Sequence, residues 1–328
     1  MEQALNHPKT LQEAVVYFAD VENCRAYMVD LRWPDGKVKC PRCGSEDVSW
    51  LPNARVFKCY AKPAHALCKF SLKVGTIFED SPLPLEKWLP VMWMLVNAKN
   101  GISSWEVHRA IGVTQKTAWF MLQRCRLALQ DEHHGGKLGG EIEIDETYVG
   151  GAARNMHPER KQRALEGKGG GYSHKTGVQG ILQRGGKVRV EVIPDAKYAT
   201  LVPNVRKHVG DGSTVYTDEW VAYRGLQAWY NHDVINHMEA YVNGNVHTNG
   251  IENFWSCLKR TLNGTYVSVE PFHLFRYIDE QSFRYNNRKP MDDGERFRYA
   301  MRKIVGKRLT YAELTGKLEA PPSQEEPF

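Results

Sequence analysis

The 328-residue sequence lacks an apolar run long enough to span a membrane. The longest, residues 88–96, is interrupted by Pro90 and covers about half of the ~20 residues a span needs. Residues 1–11 offer neither a basic n-region nor an apolar h-region, so no secretory signal is expected. Both absences lead to the expectation of a soluble, cytoplasmic protein without a membrane partner. Internal repeats are missing too, which sets aside solenoid architectures. Cysteine is scarce and odd in number: seven, four of them between Cys40 and Cys68. That count argues against a disulfide framework and for metal ligation in a reducing compartment. The tail from Leu318, with Pro321-Pro322 and Glu325-Glu326, is expected to be disordered.

What is present points to a globular chain of several modules, since 42% of the residues are hydrophobic. The net charge of +6 is unevenly spread, with nine Lys/Arg against Glu159 and Glu166 between Arg154 and Arg189. A polyanion such as nucleic acid suits that segment, as does a solvated loop; Lys168 and Lys175 are its candidate contacts. Residues 1–32 read as an N-terminal helical segment whose apolar positions suit one amphipathic helix over 10–31. Residues 33–80 carry the clustered cysteines, and residues 81–136 look helical. Residues 137–290 carry strand patterns, and residues 291–328 read as a helical extension and tail.

Cys40-Pro41-Arg42-Cys43 has the spacing that lets two thiolates reach one tetrahedral Zn²⁺. Cys59 and Cys68 complete the set, although the eight residues between them leave His65 as a rival for one place. Cys24, Cys125 and Cys257 fall in expected helices and read as small core residues. Further on, Ser103 with Glu106 behind it starts a helix that breaks at Gly112, and Thr114 caps the next. This is the pattern of a helix-turn-helix, which would bring Gln115, Lys116 and Trp119 to DNA; an ordinary helical hairpin shares it.

From Glu141 the period changes to that of strands. Glu141–Asp145 alternates as a half-buried strand does, and strands follow over 178–184, 187–193 (after the Gly185-Gly186 turn), 213–218 and 233–236. Helices fit 199–209, 220–230 and 248–262. That order is the one of a ribonuclease-H-like α/β domain, a mixed sheet flanked by helices. In such a sheet Asp145 and Asp218 end neighbouring strands. Asn249, Glu252, Ser256 and Lys259 share one helix face, while Ile251, Trp255 and Leu258 lie on another. Three carboxylates, Asp145, Asp218 and Glu252, would hold two Mg²⁺ (or Mn²⁺) ions for phosphoryl transfer. Glu146 and Glu219 are neighbours that alternation turns to the opposite side, and Glu239 is a rival third acid.

Several ordered motifs carry a resemblance: Arg32-Trp33-Pro34-Asp35-Gly36, Gly75-Thr76-Ile77-Phe78, Pro84-Leu85-Glu86-Lys87-Trp88, Ile144-Asp145-Glu146-Thr147-Tyr148, His247-Thr248-Asn249 leading to Glu252 and Leu258-Lys259-Arg260, and Phe283-Arg284-Tyr285-Asn286. From about residue 10 to 290 the chain resembles bacterial insertion-sequence transposases with a zinc-ribbon front end and an ISXO-like DDE domain, relatives of the Merlin elements. The resemblance implies an acid triad at Asp145, Asp218 and Glu252, with Lys259 as its basic companion, Asn249 beside it and Arg260 on the DNA. It also implies binding to transposon ends and target DNA, near the nucleoid, as a homodimer or higher assembly. The ribbon departs from the family, which usually has a second close cysteine pair. A ribonuclease-H-like nuclease without strand transfer, or a DNA-binding regulator with an unused triad, remain alternative readings.

Overall fold

A computed structural model describes residues 7–62, 65–130, 136–151, 156–165, 174–235 and 247–317. The chain divides into two compact units, residues 1–98, 102–129 and 291–328 in one, 99–101 and 130–290 in the other.

The first unit opens with α1 (Leu11–Phe18) and α2 (Val21–Arg32). The single helix expected over 10–31 is therefore two. Asp20 takes an extended conformation and its carboxylate accepts from the Glu22 and Asn23 backbone N–H groups, so it starts a new helix instead of continuing the old one. A three-stranded antiparallel sheet follows: β1 (Val48–Leu51), β2 (Val56–Cys59) and β3 (Lys69–Phe70). Then come α3 (Leu85–Asn97), α4 (Ser104–Ile111) and α5 (Gln115–Leu129). Ser103 and Glu106 form a reciprocal capping box on α4, Gly112 closes that helix at φ 62°, and the Thr114 hydroxyl accepts from the Thr117 N–H at the start of α5.

The second unit is built on a five-stranded sheet, in spatial order β6-β5-β4-β7-β8. Its elements are β4 (Glu141–Val149), α6 (Pro158–Leu165), β5 (Thr176–Gln183), β6 (Val188–Ile193), α7 (Tyr198–His208), β7 (Thr214–Asp218), β8 (Asn231–Ile235), α8 (Asn249–Thr261) and α9 (Leu274–Asn286). The first three strands are antiparallel neighbours, whereas β7 and β8 run parallel to β4. Residues 220–230, expected as a helix, form two short 3₁₀ turns instead. Gly225 between them sits at φ 122°, where an α-helix cannot continue.

Both faces of this sheet are covered. Ile142, Ile144, Ile181 and Val215 pack under α7 with Leu201, Val202 and Val205. Val178, Leu182 and Val188 pack under α8 and α9 with Ile251, Phe254, Trp255 and Leu258. β4 is thus buried on both sides over 142–144 rather than half-buried, with Glu143 and Asp145 beneath α8 and Glu141 left exposed. Two glycines set how closely α8 approaches. A Cβ on Gly180 would stand 2.6 Å from the Trp255 ring, and one on Gly250 would stand 2.5 Å from Leu182 and 2.7 Å from the Glu143 carboxylate. After Pro290 the chain returns to the first unit as α10 (Asp293–Arg302), which packs on α3 and α2, and α11 (Tyr311–Leu314). Lys168, Glu239 and the tail from Leu318 lie outside the described residues.

Candidate functional site

In the second unit Asp218 ends β7, whereas Asp145, expected to end its strand, stands mid-way along β4, because β4 stays paired with β5 as far as Val149. Glu141, Ile142 and Glu143 pair with Thr214, Val215 and Tyr216 of parallel β7; two residues beyond those pairs stand Asp145 and Asp218. Asp145 faces α8: the Trp255 indole N–H donates to its Oδ2 at 2.9 Å, and the Glu146 backbone N–H donates to its Oδ1 at 2.8 Å. Burial raises the Asp145 carboxyl to about 6; these two hydrogen bonds oppose the rise, and the charges of Asp218 and Glu252 add to it. Glu252 is therefore an electrostatic neighbour of Asp145, one helical turn before Trp255. Asp218 accepts from the Trp220 backbone N–H at 3.1 Å.

On α8, residues 249, 252, 256 and 259 are all exposed, while Ile251, Trp255 and Leu258 are buried. The expected division of faces is present, and Lys259 and Arg260 both lie open to solvent. Thr248 donates its hydroxyl proton to Glu252 Oε1 at 3.1 Å, across the first turn. Glu219 is exposed. Glu146 points to the α7 side, where the Tyr223 hydroxyl donates to it and in turn accepts from Gln179 Nε2 at 2.9 Å. Burial, and then the charges of Asp145 and Asp218, push the Glu146 carboxyl up to about 9.

Sequence reasoning missed Glu143. Only 1% exposed, it accepts from the Ile251 N–H at 2.9 Å at the start of α8 and from Arg184 Nε at 2.8 Å. Arg184 also reaches Glu141 at 3.1 Å and the His247 carbonyl at 2.8 Å. The carboxylate thus ties β4, the end of β5 and the first turn of α8 together. The alternation Glu141-Ile142-Glu143-Ile144-Asp145 held the signal, since it put Glu143 on the same strand face as Asp145.

In the first unit, Cys40, Cys43, Cys59 and His65 bring their ligand atoms within 4.8 Å of one another, the one such group among the described residues. Cys40 Sγ lies 3.5 Å from His65 Nε2, and Cys43 Sγ lies 3.6 Å from Cys59 Sγ. Those separations match the roughly 3.7 Å edge of a tetrahedron with ~2.3 Å zinc–sulfur bonds. Three thiolates and an imidazole suit structural zinc. The expected ligand Cys68 is not in this group, and His65 stands in its place. Cys68 sits where β3 begins, its carbonyl holding the Cys59 N–H at 2.8 Å, whereas His65 comes from the loop between β2 and β3.

The expected DNA contacts are scattered. Lys116 is exposed near the Tyr311 ring, Trp119 is half-buried, and the Gln115 amide donates to Ser104 at 2.8 Å. Lys175 is half-buried beside Gly150 in the second unit.

The ISXO2-like transposase domain matches residues 137–286, and the transposase zinc-ribbon domain matches residues 20–69. A Halobacterium salinarum protein, named as an uncharacterised protein in transposable element ISH50, is 32% identical over 252 residues, 72% of this chain and 81% of that protein. This chain belongs to the ISXO2-like transposases. An uncharacterised transposase-like protein of Haemophilus influenzae is 35% identical over 102 residues, 31% of this chain and 82% of that protein. The family's ribbon spans the three cysteines of the metal-ligand group, and its transposase domain spans Asp145, Asp218 and Glu252. No helix among the described residues is long and apolar enough to cross a membrane.

Proposed function

We propose that the chain binds the terminal inverted repeats of its element, cuts DNA there and joins the freed ends to target DNA, with Asp145, Asp218 and Glu252 as its catalytic acids. One observation carries this reading: Asp145, mid-way along β4 and just past its pairing with β7, is largely buried under α8, held by Trp255, and feels the charges of both Asp218 and Glu252. The family supports it, as does a strand order in which β4 lies beside parallel β7, the arrangement of a ribonuclease-H-like sheet.

Asp218 and Glu252 are near enough for their charges to act on Asp145, and three carboxylates so placed would offer a hard-oxygen donor set for divalent magnesium or manganese. Such ions, when bound, neutralise charge on a phosphodiester and steady the attacking and leaving oxygens of an in-line displacement. The chain's own residues orient the reaction. Trp255 holds the Asp145 carboxylate, and the Gly180 and Gly250 contacts seat α8 closely on the sheet, with Glu252 left exposed. Lys259, seven residues beyond Glu252 and so about 10 Å along the helix, is placed to grip a DNA phosphate, with Asn249 one turn before the acid. Water attacks the phosphodiester first and releases a 3′-hydroxyl. That hydroxyl then attacks a target phosphodiester, forming one P–O bond as another breaks.

The capped pair α4 and α5 fits a helix-turn-helix with α5 reading the ends through Lys116 and Trp119. The zinc ribbon assists recognition, and joining two ends requires at least two copies of the chain. The test is cleavage and strand transfer on a labelled element end with Mg²⁺. Asp145→Asn should bind the DNA as the wild type does and lose cleavage by about a thousandfold, several kcal/mol of transition-state stabilisation. Cleavage retained within tenfold would remove Asp145 from the chemistry. Cleavage without any joined product would leave a nuclease.

A further inference from the structure

On the α8 side of the sheet, a cleft of about 530 Å³ opens between the β5–β6 turn, the start of α8 and the end of α9. Arg184, Lys187, His247, Arg288 and Lys289 line it, with Glu143 as its one acidic wall. That acid is already committed, because Arg184 binds both Glu143 and Glu141. Lys187, Arg288 and Lys289 are exposed and form no ion pair among the described residues. Arg288 instead lies over the Tyr285 ring, 3.5 Å from its centre.

Three cations facing one concavity repel each other, and no carboxylate among the described residues pairs with them. The natural occupant is a polyanion. Its position identifies which. Glu143 and Asp145 lie on the same strand face, two residues or about 7 Å apart. The cleft therefore begins within one residue pair of the proposed catalytic acids, on the face they share with α8.

We infer that this cleft is a docking groove for the phosphodiester backbone of the DNA strand that runs past those acids, with Lys187, Arg288 and Lys289 as its phosphate contacts. The inference rests on the DNA-cutting reading above, and names where the strand lies beyond the reacting phosphate. These contacts are sequence-independent, because cations on phosphates carry no base information.

The experiment measures fluorescence anisotropy of the full-length chain on a 30-base-pair duplex of arbitrary sequence, without divalent ions, between 50 and 300 mM KCl. Wild type is compared with the double variant Lys187→Ala/Lys289→Ala, and with Arg206→Ala/Lys207→Ala, which removes two charges from α7 on the other face of the sheet. Each lost phosphate contact flattens the plot of log K against log salt by about 0.9. The cleft variant should lose about two units of slope and at least tenfold in affinity at 100 mM KCl, while the α7 variant keeps both. Thermal unfolding checks that the cleft variant is folded, as expected for two exposed lysines. An unchanged slope in the cleft variant, or an equal loss in the α7 variant, overturns the inference. Neither result depends on cleavage, so a wild type that binds but never cuts would sink the catalytic reading separately.

Discussion

Glu143 provides the sharpest test of how α8 is held. Glu143→Ala leaves the Ile251 N–H without its acceptor, which costs about 1–3 kcal/mol for a buried donor. It also removes one carboxylate from Arg184. Breaking a buried pair costs about 3–5 kcal/mol when nothing else compensates. Here Arg184 keeps Glu141 at 3.1 Å and the His247 carbonyl at 2.8 Å, so the lower end applies and the sum is about 4 kcal/mol. Glu143→Gln keeps one acceptor and most of the volume and should cost about 1–2 kcal/mol. Because the chain has two units, a single unfolding free energy is poorly defined, and local hydrogen exchange is the better assay. A loss of 4 kcal/mol corresponds to roughly thousandfold faster exchange of the α8 amides. Exchange of α8 in Glu143→Ala within about threefold of wild type would refute the claim that this carboxylate pins the helix.

Other consequences follow from the same geometry. Gly180→Ala drives a methyl group into Trp255, so it should destabilise by about 1–3 kcal/mol and weaken the Trp255–Asp145 hydrogen bond, seen as a shift in tryptophan fluorescence; unchanged stability and fluorescence would contradict the packing. His208, then Lys207, hold the Glu191 carboxyl down at about 2, despite its partial burial. A depressed acid binds fewer protons folded than unfolded, so its stabilisation is complete above about pH 4.5 and drains away as pH falls towards 2. Glu191→Gln should flatten acid denaturation over that window, and an identical acid profile would show the pair to be inert. Zinc content measured by elemental mass spectrometry should fall in His65→Ala and persist in Cys68→Ser; the reverse order would restore Cys68 as the fourth ligand.

The sequence made some of this legible because its signals were local. The spacing of Asn249, Glu252, Ser256 and Lys259 fixes one exposed helix face whatever lies beneath it, and Ser103, Glu106, Gly112 and Thr114 mark helix ends by backbone chemistry alone. The strand expected over 213–218 is present as β7, Thr214–Asp218. What was hidden depended on tertiary context. Glu143 alternates with isoleucines as a solvent-facing residue would, and only the arrival of α8, from more than a hundred residues away, buries it. Asp20 reads equally well as a helix residue or as a cap, and its backbone conformation decides between them. The choice between His65 and Cys68 turns on the path of the loop between β2 and β3, which spacing cannot supply. Residues 220–230 have a helical apolar pattern, yet Gly225 carries a φ that no pattern encodes.

The most direct test of the central claim is a crystal structure of the full-length chain in Mn²⁺, read by anomalous scattering. Manganese peaks are expected within coordination distance of the carboxylates of Asp145, Asp218 and Glu252, and are lost when Asp145 is changed to Asn. Manganese absent from those three side chains, or bound there identically in Asp145→Asn, would contradict that claim.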